Sequence, residues 1–251
     1  MDGCWSYLLC GVASTVIATQ KIPAAAKSID LLSQPGSIDA IAPSPFRLLA
    51  TEQGGTVSQG GDQKPEFKSK VSGSALGSAL QEGGHIIFFR HAQTDKDYAD
   101  QADPKIDLKS CATQRTLSEV GWKQARMIGQ AFQTLKIPVG RVFASDYCRA
   151  WQTADLAFGR YEKNSRLNFL PFEDYTDAQV AQMKAAIMPL LTAVPATGTN
   201  TVIVGHDDVF ESATGIYPEP QGVAYILKPN GQEGFDLIAN VMPDAWDNLK
   251  P

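Results

Sequence analysis

Histidine is scarce in this chain. Its 251 residues include three, His85, His91 and His206. A metal centre built on several imidazoles is therefore poorly supplied, and neither a CxxC pair nor an HExxH helix is present to replace it. An excess of basic residues is missing as well. Lys and Arg number 22 against 27 Asp and Glu, a formal net charge of −5, so the basic face that a nucleic-acid partner requires is not supplied. The N-terminal apolar stretch, Tyr7 to Ala18, covers about 12 residues, too short to span a bilayer. What remains is ordinary for a soluble globular protein: 43% hydrophobic, 20% charged, 9% aromatic.

Three regions separate by composition. Residues 1–26 pair the apolar stretch with small residues, Ala24-Ala25-Ala26, as in a signal segment with an A-x-A cleavage site. Against this, Asp2 stands where a signal segment carries positive charge. Export, to a periplasm or the exterior, is the expectation; a cytoplasmic protein with an untidy N-terminus is the alternative. Residues 27–70 are rich in Ser, Gly, Pro and Gln and lack a helical or strand period, which reads as a disordered linker. Residues 71–251 are the expected folded domain, with no membrane span.

Within 71–251, strands and helices alternate. His85 to Phe89, Arg141 to Ser145, Thr201 to Gly205, Val223 to Leu227 and Phe235 to Val241 read as strands, the last two joined through Pro229-Asn230-Gly231. Ser74 to Leu80, Leu117 to Leu135, Arg149 to Phe158 and Ala178 to Leu191 read as helices. The second carries Leu117, Val120, Ala125, Ile128, Phe132 and Leu135 at helical spacing, with Ser118 as N-cap. Asp95 to Ser110 is an acidic loop. The alternation predicts an α/β fold, a three-layer α/β/α sandwich on a mainly parallel sheet.

Parallel strands carry their C-terminal ends to one edge of the sheet, where ligands bind in open α/β folds. The first strand ends at Arg90-His91. The second ends at Ser145, with Arg149 one turn further on. A third ends at Gly205-His206. Two arginines, two histidines and a helix N-terminus at one edge suit a phosphate dianion. The bland alternatives are a strand-end salt bridge for Arg90 and His91, a surface position for Arg149 and a structural role for His206. His85, outside any motif, reads as structural.

These segments resemble the histidine phosphatase superfamily, which includes cofactor-dependent phosphoglycerate mutases and phosphohistidine phosphatases. Phe89-Arg90-His91-Ala92-Gln93-Thr94 is similar to its Arg-His-Gly signature, with Ala in place of Gly. Leu117-Ser118-Glu119-Val120-Gly121, with Gln124-Ala125 and Gly129, is similar to its next helix. Ser145 to Ala154 is similar to its Ser-x-x-x-Arg-Ala-x-Gln-Thr-Ala signature, and Val204-Gly205-His206 to the segment carrying its second histidine. The resemblance covers about residues 83 to 241 and implies a phosphoglycerate mutase-like fold. It also implies His91 as nucleophile, forming a phosphohistidine that water hydrolyses. Arg90, Arg149 and His206 would hold the phosphoryl oxygens; no metal or cofactor is implied. Thr94 is a candidate substrate contact, and Arg115 either reaches the substrate or lies in solvent. The implied partner is a small phosphorylated substrate or a phosphoprotein. Alternatives are a mutase-like phosphotransferase and a non-catalytic phospho-ligand binder.

The general acid stays open. One branch of the superfamily puts an aspartate directly after the second histidine, where Asp207 stands. Another uses a carboxylate after the Arg149 helix, where Glu173 and Asp174 lie. Asp207 and Asp208 could equally cap a following turn. With Cys4 and Cys10 in the signal-like segment, Cys111 and Cys148 remain, either a disulfide beside the site or two unrelated thiols.

Overall fold

The run Ile86-Ile87-Phe88-Phe89 is apolar without alternation, as a strand covered on both faces requires. It forms β1 (Ile86–Arg90), every residue of which is buried. Its side chains divide by parity: Ile87 and Phe89 enter one hydrophobic cluster, Ile86 and Phe88 the other. The computed structural model describes residues 67–96, 98–172, 174–231 and 234–250. The chain divides into Met1–Gly60 and Gly61–Pro251. The first unit lies outside the described residues, and with it the expected export segment 1–26 and most of the expected linker 27–70.

The second unit is built on six strands: β1, β2 (Val139–Ala144), β3 (Glu162–Lys163), β4 (Asn200–Gly205), β5 (Ala224–Pro229) and β6 (Phe235–Val241). Their order is β3-β2-β4-β1-β5-β6. The pairs β3·β2, β2·β4 and β4·β1 are parallel; β1·β5 and β5·β6 are antiparallel. One face packs against α1 (Gly73–Glu82), α2 (Glu119–Thr134) and α3 (Cys148–Phe158), through Leu76, Leu80, Ile128, Phe132, Ala150 and Ala154. The other packs against α4 (Asp177–Leu191) and α5 (Asp207–Thr214), through Met183, Ile187, Leu191, Val209 and Phe210. This is the expected mainly parallel α/β/α arrangement.

Ser118 caps α2 by accepting the Gly121 N–H. Of the stripe expected on this helix, Ala125, Ile128 and Phe132 are buried, but Val120 is exposed. Two elements were not anticipated. β3 has two residues, too few for a period. α5 has eight, of which only Val209 and Phe210 are buried, so a turn capped by Asp207 and Asp208 was the nearest reading. The folded region also begins before Val71. The Phe67 ring centroid lies 6.0 Å from that of Tyr225, and Lys70 N–H donates to the Ile238 carbonyl at 2.8 Å. Among the described residues no helix is long and apolar enough to cross a membrane.

Candidate active site

The parallel registers of β1, β4 and β2 bring three strand ends together: Arg90 pairs with Gly205, and Ala144 with Val204. His91 continues β1, its N–H donating to the Gly205 carbonyl at 3.0 Å. Ser145 continues β2, its N–H donating to Val204 at 3.1 Å. His206 follows β4 directly and precedes α5, while α3 opens at Cys148. His91, His206, Arg90 and Arg149 are all essentially buried there.

The two ring nitrogens of His91 have separate tasks. Nδ1 lies 2.8 Å from the Ala92 carbonyl, so it carries the proton and donates. Nε2 keeps its lone pair, accepting from Arg149 Nε at 3.2 Å and Arg115 Nη2 at 3.3 Å. Burial, reinforced by the Arg149 charge, holds the imidazole well below the usual histidine range. The ring is neutral, with its nucleophilic nitrogen turned to two guanidiniums.

His206 is oriented by a hydrogen-bond chain. The Asn168 amide is fixed by Asp146, whose N–H it accepts at 2.9 Å and whose Oδ2 it bonds through Nδ2 at 2.8 Å. Ser145 Oγ–H donates to Asn168 Oδ1 at 2.8 Å. The Ser145 oxygen can then only accept, taking Tyr147 N–H at 3.2 Å and His206 Nε2–H at 2.8 Å. His206 Nδ1 has no partner among the described residues. Its ring lies against Phe169 at 4.4 Å, Tyr147 at 5.1 Å and His91 at 5.4 Å between centroids. Burial, with Arg149 second, keeps it neutral as well.

Carboxylates balance the arginines. Arg149 Nη1 donates to Asp100 Oδ2 at 2.9 Å, and that oxygen also accepts the Arg115 N–H at 2.8 Å. Burial lowers Arg149 to about 10 despite Asp100. Arg90 pairs with Asp207 at 2.5 Å and donates to the Pro218 carbonyl at 3.2 Å. Asp207 also accepts the Tyr217 O–H at 2.7 Å. In front of these groups lies a cavity of about 230 Å³ lined by residues that include Arg115, Arg149, Asp207, Asp208 and Tyr217. Cys111 and Cys148 form a disulfide, which ties the loop bearing Asp100 and Arg115 to the first turn of α3.

The candidates from sequence divide accordingly. His91, Arg90, Arg149, His206, Asp207 and Arg115 come together. Thr94 is bonded within its own surroundings: its hydroxyl donates to the Lys96 carbonyl at 2.7 Å and its N–H to Gln221 at 2.8 Å. Asp174 is exposed, and Glu173 lies outside the described residues. His85 sits at the opposite end of β1, where its N–H meets Asn200. Sequence reasoning missed Asp100, Asn168 and Tyr217 as site residues. Asp100 was one of five acids in a loop, and only its burial singles it out. No group of three or more His, Cys, Asp or Glu suited to a metal ion occurs among the described residues.

Residues 86–191 match the histidine phosphatase superfamily (branch 1). The match runs from the start of β1 to the end of α4. No curated protein matches by sequence. Solved structures similar to this chain include the protein histidine phosphatase SixA complexed with tungstate, 15% identical, covering 63% of this chain and 97% of that one, TM-score 0.46. An alpha-ribazole-5'-P phosphatase, so described provisionally, from Escherichia coli is 15% identical, covering 65% and 99%, TM-score 0.48. A phosphoserine phosphatase from Entamoeba histolytica in complex with phosphoserine is 14% identical, covering 64% and 98%, TM-score 0.47.

Proposed function

We propose that this chain is a histidine phosphatase and hydrolyses phosphomonoesters through a phosphohistidine at Nε2 of His91. The observation that carries this reading is the division of labour on the His91 ring. Nδ1–H is spent on Ala92, and Nε2 presents its lone pair between Arg149 and Arg115. An imidazole held neutral by burial needs no separate base. In the first step Nε2 attacks phosphorus and the P–O bond to the leaving group breaks. Arg90, Arg149 and Arg115 stabilise the phosphoryl oxygens. In the second step water attacks phosphorus, the P–N bond breaks and inorganic phosphate leaves.

His206 supports this reading through its Nδ1, which has no partner among the described residues. With Nε2–H committed to Ser145, Nδ1 donates to a phosphate oxygen once the ring takes up a proton, which the dianion's charge favours. Charge stabilisation comes from side chains, so turnover is expected to survive EDTA. The Cys111–Cys148 bond fits an exported protein, because cytosolic thiols are kept reduced. The substrate class is a small phosphorylated molecule or a phosphoprotein.

The test is an assay of wild type and His91→Ala on p-nitrophenyl phosphate and a panel of alkyl phosphates, with rapid quenching to trap labelled protein. Acid-labile, base-stable label in wild type and none in His91→Ala is the expected result. Turnover unaffected by His91→Ala would overturn the proposal. Phosphate binding without turnover of any ester would favour a non-catalytic binder instead.

A further inference from the structure

Asp207 and Asp208 are adjacent at the start of α5, and both line the cavity that Arg115 and Arg149 close. Their surroundings differ. Asp207 is held through its Oδ2, which pairs with Arg90 and accepts the Tyr217 hydroxyl. A carboxylate gripped this way serves as an anchor for Arg90. Asp208 has no ion pair among the described residues. Its one hydrogen bond there is a long one, 3.4 Å from the Tyr175 hydroxyl. It is half-buried, and it also lines a second cavity together with Tyr175 and Lys184.

We propose that Asp208, rather than Asp207, is the proton donor to the leaving oxygen, an assignment that rests on the phosphohistidine reading above. As Nε2 of His91 bonds to phosphorus and the ester P–O bond breaks, the departing oxygen takes the proton from the Asp208 carboxyl. An alcohol leaves and Asp208 is left as carboxylate. The groups facing Asp208 set its charge. Asp207 and Glu211 repel a second negative charge, while Arg90 from β1 and the Tyr175 hydroxyl favour it. Burial comes first among these influences and Asp207 second, and together they raise the carboxyl to about 6. A proton donor in that range is matched to turnover near neutrality.

The test compares kcat/KM for an alkyl phosphate and for p-nitrophenyl phosphate, whose phenolate departs without a proton. This parameter reports the phosphoryl transfer to His91. In wild type the alkyl-to-aryl ratio should fall as pH rises above about 6. The aryl ester's second ionisation is the more acidic of the two, so each kcat/KM is expressed per substrate dianion before the ratio is taken. Asp208→Asn should lower the alkyl value by about 10²-fold or more and the aryl value by far less, and should flatten the ratio with pH. Asp208→Glu should restore part of the alkyl rate. Equal losses on both esters, or a selective alkyl loss in Asp207→Asn instead, would overturn the assignment. So would a wild-type ratio that does not change with pH, a result that needs no variant to fold. Absence of phosphohistidine from either ester in wild type would instead defeat the underlying reading.

Discussion

Arg149 and Asp100 form an ion pair of 2.9 Å with both side chains almost wholly buried. Asp100 arrives from the loop before α2 and meets the guanidinium that a phosphoryl group would need. Breaking a buried pair from one side leaves an uncompensated charge. Asp100→Ala is therefore expected to cost about 3–5 kcal/mol in urea unfolding. Asp100→Asn keeps the shape and removes the charge that competes with phosphate. It should tighten competitive inhibition by inorganic phosphate about tenfold, equivalent to about 1.4 kcal/mol. Weaker inhibition in Asp100→Asn would mean that the carboxylate serves only to position Arg149.

The buried histidines make stability depend on pH. Folding lowers His91 and His206 well below 6.5, and His85 below it as well, so the unfolded chain binds protons that the folded chain refuses. Stability is then lost as pH falls through 6.5. Between pH 7.5 and 6 His91 and His206 are each expected to remove about 0.8 kcal/mol, and His85 acts in the same direction. Asp208, raised in the fold, takes up protons more readily there and offsets part of the loss. His91, His206 and Asp208 together give about 1 kcal/mol, to which His85 adds, read as a lower urea midpoint at pH 6. His206→Gln should remove roughly half of the dependence. A midpoint unchanged from pH 7.5 to 6 in wild type would show that the His91 and His206 rings are not both held neutral in the fold.

Cys111 and Cys148 are bonded across a sequence separation of 37. The chain-entropy account gives about 4 kcal/mol for closing such a loop, before strain. The bond also secures the segment that carries Asp100 and Arg115, assisted by Gln114, which accepts the Cys148 N–H at 2.8 Å. Reduction, or the Cys111→Ser/Cys148→Ser pair, should lower stability by about 2–4 kcal/mol. It should also raise KM more than it lowers kcat, because the loop and not the His91 ring is released. Identical urea midpoints with and without reductant would exclude the stabilising role.

Where sequence and structure agree, the physical signal is local. β1 was legible because four consecutive apolar residues end at two costly polar ones. α2 was legible because Ser118 caps a stripe at helical spacing. The convergence of His91, Arg149 and His206 followed from parallel strands ending at one edge. What the sequence concealed depends on long-range burial. Asp100 resembles Asp95, Asp103 and Asp107 in its loop until folding places it on Arg149. Asn168 orients His206 from 38 positions away, through Ser145. Thr94 is adjacent to a motif, yet its hydroxyl turns to its own loop. Asp207 and Asp208 look interchangeable in sequence and are separated only by Arg90 and Tyr217.

Gly129 explains a motif position that periodicity alone left unexplained. It lies on α2 where that helix crosses α3, and a Cβ there would stand 2.2 Å from the Ala157 carbonyl oxygen and 2.9 Å from its carbon. Those atoms are backbone, so they cannot swing aside as a long side chain would. The helices must separate instead, loosening the contact on which Ala154 and Ile128 pack. Alanine is the better helix former by about 1 kcal/mol, whereas overpacking of this kind typically costs about 1–3 kcal/mol or more. Packing is therefore expected to win, with Gly129→Ala less stable than wild type by urea unfolding. Because α3 also carries Arg149, kcat/KM on p-nitrophenyl phosphate should fall as well. A variant as stable as wild type would mean that the two helices part at little cost, and that close approach is not why glycine stands there.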